Sequence, residues 1–202
     1  MKLNAKELRD VDEKEVANKL KLIKRRPIYF ILENIYDTYN IGGLFRLADA
    51  LAIKKMYICG ESEIPPNSKI KKASIGTYKV VPWEYRKIAG EVIEELRNLE
   101  FKIQNSESKK ENILNFKLNS EFSTLNSKLK IIAVEQVKNS ISYQKADYSL
   151  PLALIFGNET YGILPETLKL VDSIVEIPMY GVNKSLNVIV SAAIVSYWAV
   201  NK

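Results

Sequence analysis

Residues 152–159 read LALIFGNE, an apolar run that passes directly into glycine, asparagine and glutamate. The short, continuously apolar run Leu152–Phe156 predicts a buried strand of a parallel sheet. Gly157 lets a ligand approach the backbone, and Glu159 places a carboxylate at the same edge. In open α/β sheets, ligands usually bind beyond the carboxyl ends of the strands. This stretch therefore predicts an α/β sheet with a binding site at that edge.

Two other segments place glycines and polar residues at the ends of predicted elements: NIGGLFR (40–46) and IPMYGVNKSLN (177–187). We expect Asn40 to be the N-cap of a helix over 41–52 and Ser185 to cap the terminal helix. Arg46 would lean over Gly42 and Gly43 beside free backbone N–H groups, a good anion site for a phosphate. Close helix packing would explain the two glycines equally well. The spacings GxGxxG and GxxxxGKS are absent, which counts against a nicotinamide enzyme or a P-loop NTPase.

The rest of the chain alternates short apolar strands with helices, which predicts an α/β fold with a largely parallel sheet. Predicted helices cover 5–24, 41–52, 84–98, about 164–170, and 186–200. Predicted strands cover Ile28–Glu33, Lys55–Cys59, 100–104, 130–135, 152–156 and 173–177. Residues 60–82 are expected to form a long loop, and the polar residues 106–127 a weakly structured insert. No linker divides the chain into two domains.

The residue inventory excludes several mechanisms. The chain has 202 residues and no histidine, so a Ser-His-Asp triad, a Cys-His dyad, a histidine general base and a Cys/His zinc site are all ruled out. Proton transfer must use a carboxylate, Lys, Tyr, Arg, the substrate or water. The single cysteine, the charged N-terminus and the lack of a membrane-length apolar run predict a cytoplasmic protein that does not enter a membrane.

The net charge of +6 is concentrated in two stretches. Residues 1–26 carry nine Lys/Arg against five Asp/Glu, and residues 54–87 carry eight against three. In the second stretch, lysines alternate with Tyr78, Trp83 and Tyr85, which suits phosphates and unpaired bases. A solvated loop with core aromatics would give the same pattern. The candidate RNA-binding residues are Arg25, Arg26, Lys69, Lys71, Lys72 and Lys79.

The three segments resemble the three motifs of the SPOUT methyltransferases, specifically the TrmH (SpoU) family of RNA ribose 2′-O-methyltransferases. ENIYDTYNIGGLFRLADA resembles the first motif, LALIFGNETYGI the second and IPMYGVNKSLNVIVSAA the third. The match runs from Pro27 to about Trp198. It implies a mainly parallel sheet flanked by helices, with a deep C-terminal trefoil knot. It also implies a methyltransferase domain over 27–202, preceded by a basic helical extension over 1–26.

The resemblance implies an S-adenosylmethionine-dependent enzyme that methylates tRNA or rRNA, with tRNA favoured, and releases S-adenosylhomocysteine without using a metal. It implies a homodimer that packs through the knot region. The implied cofactor contacts are Val134, Gly157, Asn158, Glu159, Ile177, Pro178, Met179 and Leu186. The implied catalytic residues are Asn40, Arg46, Glu159, Ser185 and Asn187. Arg46 would either activate the 2′-hydroxyl or position a phosphate and stabilise the developing alkoxide.

Two alternatives stay open. One is a non-catalytic RNA-binding relative that keeps the fold; the presence of Asn40, Arg46, Glu159 and Ser185 argues against it. The other is a SPOUT enzyme that methylates a base. The asparagine and arginine spacing of the first motif favours ribose. Gly43, Leu47 and Ile189 depart from the usual motifs without removing an expected contact group.

Overall fold

The computed structural model describes residues 2–12, 20, 22–107 and 128–202. Within these residues, seven strands form one sheet in the order β3-β2-β1-β6-β4-β7-β5, and every pair is parallel. The strands are β1 Arg26–Glu33, β2 Ile53–Cys59, β3 Trp83–Arg86, β4 Lys130–Val134, β5 Ile141–Ser142, β6 Leu152–Phe156 and β7 Ser173–Glu176. The helices are α1 Ala5–Asp10, α2 Thr38–Ala50, α3 Ser68–Ser74, α4 Ala89–Glu107, α5 Pro165–Leu168 and α6 Val188–Val200. The predicted parallel sheet flanked by helices is confirmed.

Both faces of the central strands are buried, which is why those strands are apolar throughout. Alternate residues of β1 point to opposite faces. Phe30 belongs to a core that includes residues of α2 and α6, whereas Ile31 belongs to a second core that includes residues of α4. No helix in the described part of the chain is long and apolar enough to cross a bilayer.

Two predicted elements are wrong. The helix expected over 5–24 is interrupted after Asp10, because Val11 has extended backbone with ψ 125°, although Leu20 is again helical; residues 13–19 and 21 lie outside the described ranges. The strand expected over 100–104 belongs to α4, which continues to Glu107. The alternating apolar residues of that stretch imitate a strand, although the backbone simply extends the preceding helix. Most of the predicted insert, 108–127, is outside the described residues.

Short elements account for the other differences. The predicted helix over 84–98 begins only at Ala89, because Trp83–Arg86 pairs with β2 as an edge strand. The predicted loop over 60–82 contains α3, whose Ile70 is fully buried, and a 3-10 turn at Thr77–Lys79. The two-residue strand β5 is too short to leave a periodic signal.

The parallel arrangement brings the carboxyl ends of four strands to one edge. Phe156 at the end of β6 pairs with Leu32 of β1 and with Val134 of β4, and Val134 pairs in turn with Val175 of β7. The loops that follow these strands therefore start side by side. Helix α6 packs behind them, with Val188, Ala192 and Val195 in the α2 core.

Candidate active site

A cavity of about 340 Å³ lies at this edge, beyond the ends of β4, β6 and β7. Its volume is in the range of small-molecule sites. Among the described residues, seven of the eight predicted cofactor contacts line it, and Pro178 does not. The seven are Val134, Gly157, Asn158, Glu159, Ile177, Met179 and Leu186. The predicted catalytic residues Glu159 and Ser185 also face the cavity.

The turn after β6 is held in a fixed shape by its own residues. A Cβ on Gly157 would lie 2.5 Å from Ile163 N, so only glycine allows the two chain segments to approach this closely. The Asn158 side-chain oxygen accepts hydrogen bonds from the N–H groups of Thr160 and Tyr161, each at 2.8 Å. The Asn158 amide donates to the Asn34 carbonyl at 2.7 Å, which ties the turn to the end of β1.

Two carboxylates that were not predicted as site residues also hold this turn in place. Glu135 lines the cavity and accepts hydrogen bonds from Ile163 N (2.9 Å) and Gln136 N (2.8 Å). Glu33 is buried at the end of β1 and accepts from Leu164 N (2.8 Å) and Thr167 Oγ1 (2.6 Å). Burial raises the pKa of Glu33. Both residues lie at the carboxyl end of a strand. Glu159 was predicted as a site residue because it follows the carboxyl end of a strand in the same way.

A chain of hydrogen bonds joins the three motifs at the rim of the cavity. The Asn187 amide donates to Asn40 Oδ1 at 2.9 Å, and the Asn40 amide donates to Glu159 Oε1 at 2.8 Å. The second Glu159 oxygen accepts from Tyr36 N at 3.4 Å. Asn40 is only 5% exposed, whereas Glu159 and Asn187 are exposed. The buried amide of Asn40 therefore orients an exposed carboxylate.

Both predicted helix caps are wrong, and the corrections explain the network. Asp37 caps α2 by accepting from Tyr39 N at 2.8 Å, so Asn40 lies within the first turn and its side chain is free to reach Glu159. Asn187 caps α6 by accepting from Ile189 N at 2.8 Å. Ser185 lies two residues earlier, exposed at the cavity.

Arg46 is exposed on α2 and is not among the described residues that line this cavity. The two glycines before it are explained by helix packing. A Cβ on Gly42 would lie 2.5 Å from the Ala73 Cβ of α3, and one on Gly43 would meet the end of the Ile189 side chain of α6. The alternative of close packing thus accounts for both glycines.

The candidate RNA-binding residues fall into two groups. Arg26, Lys69, Lys71 and Lys72 are exposed. In contrast, Arg25 donates to the carbonyls of Ile53 (3.2 Å) and Val80 (2.6 Å). Lys79 donates to the carbonyls of Arg9 (3.0 Å) and Val11 (2.8 Å), which holds the end of α1. These two cations have structural partners.

The aromatic residues of the basic stretch also differ in their packing and exposure. Tyr78 and Trp83 pack against the core, each with its ring edge-on to Phe45 at centroid distances of 6.4 and 6.2 Å. Tyr85 is exposed on β3. Core packing therefore accounts for Tyr78 and Trp83. Among the described residues, no group of three or more Cys, Asp or Glu side chains is placed to hold a metal ion.

Known proteins are similar to this chain in sequence over most of its length. A tRNA (guanosine(18)-2′-O)-methyltransferase of Aquifex aeolicus is 26% identical over 200 residues, covering 96% of this chain and 74% of the relative. A protein of the same name from Thermus thermophilus is 25% identical over 179 residues, covering 88% of this chain and 77% of that relative.

Solved structures of similar proteins have the same fold as this chain. The A. aeolicus TrmH/SpoU tRNA modifying enzyme superposes with a TM-score of 0.65 at 25% identity, covering 93% of this chain and 82% of that one. The Streptomyces viridochromogenes methyltransferase AviRb, in complex with the cofactor AdoMet, has the same fold with a TM-score of 0.68 at 21% identity. This likeness covers 90% of our chain and 60% of that one. The SpoU rRNA Methylase family model matches residues 27–125 and 117–197. The resemblance seen in the three motifs is thereby confirmed, and the chain belongs to the SpoU rRNA methylase family.

Proposed function

We propose that this protein transfers the methyl group of S-adenosylmethionine to a ribose 2′-hydroxyl of RNA, with tRNA as the favoured substrate. Family membership and relatives named as tRNA 2′-O-methyltransferases support this activity. The observation that carries the proposal is the Asn187–Asn40–Glu159 network, which joins all three motifs at the rim of one cavity. S-adenosylhomocysteine would leave as the product.

The residues around the cavity fit this cofactor. Apolar side chains at the strand ends, including Val134, Ile177 and Leu186, offer a surface for the flat adenine. The fixed turn after β6 presents backbone groups, because Gly157 leaves no side chain in the way. Carboxylates at the cavity, Glu135 and Glu159, suit hydroxyl groups and positive charge. When bound, S-adenosylmethionine supplies a methyl group already activated for displacement.

The chain must then align the hydroxyl with that methyl group and help remove one proton. An in-line displacement on an activated carbon depends chiefly on alignment, so this set of residues is sufficient without a covalent nucleophile. In our proposal Asn40 fixes Glu159, and Glu159 and Ser185 orient the incoming ribose. In this proposal Arg46 binds an RNA phosphate and stabilises the developing alkoxide. A guanidinium stays protonated, so it can supply positive charge for both roles. Full activity in an Arg46→Ala variant would contradict this role.

We also propose a homodimer that packs through a C-terminal trefoil knot. Helix α6 has thirteen residues and no charge, and its Val190 and Tyr197 remain half-exposed after the opposite side has packed on the core. An apolar surface of this kind is typical of a helix that meets a second subunit. The loop before α6 also exposes the apolar side chain of Val182 and the ring of Tyr180 almost completely.

Residues 1–26 act in this proposal as a basic extension of the domain that spans 27–202. The docking of Lys79 on the end of α1 supports a fixed position for this helix. The exposed cations Arg26, Lys69, Lys71 and Lys72 are then the proposed contacts to RNA phosphates.

The function is tested by nucleoside mass spectrometry of tRNA and rRNA from cells with and without the protein. We expect one 2′-O-methylnucleoside to disappear from tRNA. Its loss from rRNA alone would reassign the substrate, and loss of a methylated base would establish base methylation. If neither RNA changes and calorimetry detects no S-adenosylmethionine binding, the protein is a non-catalytic relative.

A further inference from the structure

A second cavity, of about 390 Å³, adjoins the Glu159 side of the site. We call it the tyrosine cavity; Tyr36, Tyr39, Glu63 and Lys69 are among the residues that line it. Tyr36, which lines the tyrosine cavity, donates its backbone N–H to Glu159, which lines the first cavity. Tyr39 immediately precedes Asn40, the residue that orients Glu159. A molecule in the tyrosine cavity would thus lie beside the reacting ribose.

The two tyrosines present aromatic surface to this cavity. Tyr36 is 48% exposed and Tyr39 is 50% exposed, so neither ring is used to fill the core. The Tyr36 hydroxyl donates to Glu61 Oε2 at 3.0 Å, which restrains its ring. Tyr161, in the turn beyond Glu159, is 80% exposed. Scattered exposed aromatics are ordinary, but three near one catalytic carboxylate indicate a surface that receives a ligand.

The polar groups of the tyrosine cavity suit a nucleotide. Lys69 lines the cavity and is exposed, so its ammonium group can pair with a phosphate there. Glu63 is also exposed there and can accept hydrogen bonds from the edge of a base. Aromatic rings beside a cation are the usual means of holding an unpaired nucleotide.

We propose that the tyrosine cavity holds the RNA nucleotide next to the methylated one, with its base stacked on Tyr36 or Tyr39 and its phosphate at Lys69. This inference rests on the proposed function, because that function places the reacting ribose at Glu159. It narrows the substrate class. A base can stack on a protein ring only when it is unpaired, so the methylated position lies in a loop or another single-stranded segment.

The test measures binding of fluorescently labelled bulk tRNA, purified from cells lacking the protein, by anisotropy. Tyr39→Leu and Tyr36→Leu remove the rings and should each weaken tRNA binding about tenfold, within the range for loss of one stacked base. Tyr39→Phe keeps the ring and should restore affinity to within about threefold of the original protein. Ile88→Ala, which removes an exposed apolar side chain outside the cavity, is the control. Calorimetry with S-adenosylmethionine verifies that each variant keeps its fold.

The outcomes separate this inference from the proposed function. If the original protein methylates tRNA but both leucine variants bind tRNA normally, the inference is overturned and the function stands. If no methyl transfer occurs but binding still depends on the tyrosine rings, the function is overturned and only the binding of a nucleotide in the tyrosine cavity stands. Failure of the original protein to bind tRNA would overturn the inference as tested here and the choice of tRNA as substrate, whereas loss of a 2′-O-methylnucleoside from rRNA would still support the function.

Discussion

Asn40 shows how one side chain can organise a site whose other members are far away in sequence. Its amide donates to Glu159, 119 residues further on, and accepts from Asn187, 147 residues further on. An amide can do both at once, whereas an ionised carboxylate only accepts and an alkyl group does neither. Because Asn40 is buried, its hydrogen bonds act on Glu159 with little competition from water.

Replacing Asn40 by aspartate should therefore displace Glu159 and reduce catalysis. Asn40→Asp places two carboxylates side by side where the structure has a 2.8 Å hydrogen bond, so Glu159 is repelled from its position. We expect kcat for tRNA methylation to fall about 100-fold, the scale of losing one positioned polar group. Asn98→Asp, on the exposed surface of α4, is the matched control. A variant with kcat within about threefold of the original value would contradict the role of Asn40.

The sequence could identify the polar residues of this network but not their hydrogen bonds. Asp37 and Asn40 are equally good helix caps by residue type. The structure uses Asp37, because Asn40 has partners on two distant loops that no local pattern reveals. Arg25 and Lys79 were predicted as RNA contacts for the same reason: a cation that satisfies a distant carbonyl looks identical in sequence to one that awaits a phosphate.

At the scale of elements, α2 is fixed in place by close contacts on two sides. Gly42 lies against the backbone of α3. A Cβ added to Gly42 would lie 2.9 Å from Ser74 N. Gly43 lies against the terminal methyl of Ile189, which can rotate away. The two neighbouring glycines thus have different tolerances for a side chain.

Gly42→Ala should lower the free energy of unfolding by about 1–3 kcal/mol, because α2 and α3 must move apart. Gly43→Ala should cost less, since one side chain can yield and alanine favours the helix by about 1 kcal/mol. Urea unfolding of the two variants measures both values. Adding Ile189→Val to Gly43→Ala should recover stability. If Gly43→Ala proves the more destabilising of the pair, the packing described for α2 is wrong.

Glu33 connects the end of β1 to α5 and should make stability depend on pH. Burial raises its pKa above the ordinary value of 4.5, so the folded protein holds the proton more tightly than the unfolded chain. The resulting stabilisation is complete below the unfolded pKa and is lost as the pH rises through the folded pKa.

Glu33→Gln removes this titration. Urea unfolding gives the free energy of unfolding of both proteins at each pH. The original protein's value minus the variant's value should fall as the pH rises from about 4 to about 7. Glu94→Gln, on the exposed side of α4, serves as the control for losing a carboxylate. A difference that stays constant or grows over this range would show that Glu33 is not buried as described.

Elements buried on both faces were predictable from sequence, and edge elements were not. Leu152–Phe156 was predicted with its observed bounds, because a central strand must be apolar on both sides. The edge strand Trp83–Arg86 contains two charged residues, and its residues 84–86 were assigned to a helix, since an edge strand is half-solvated and lacks that constraint. Helix α1 ends at Asp10, earlier than predicted. The ragged apolar stripe of this stretch did not indicate where the helix stops.

For the whole molecule, the proposed dimer makes the exposed side of α6 a buried surface. Val190→Glu would place a charge on this surface. It should convert the dimer into a monomer with the 23.0 kDa mass of one chain. Light scattering coupled to gel filtration measures this change. Ile88→Glu, at an exposed position before α4, is the matched control. A monomer in the original protein would contradict the dimer without affecting the cavity.

The most direct measurement of the proposed activity uses S-adenosylmethionine with a deuterated methyl group. The protein is incubated with bulk tRNA from cells that lack it, and the tRNA is digested and analysed by nucleoside mass spectrometry. The result we expect is a deuterated methyl group on the ribose of one nucleoside, with the base fragment unlabelled. A label on the base fragment, or no label in any nucleoside, would contradict ribose methylation at this site.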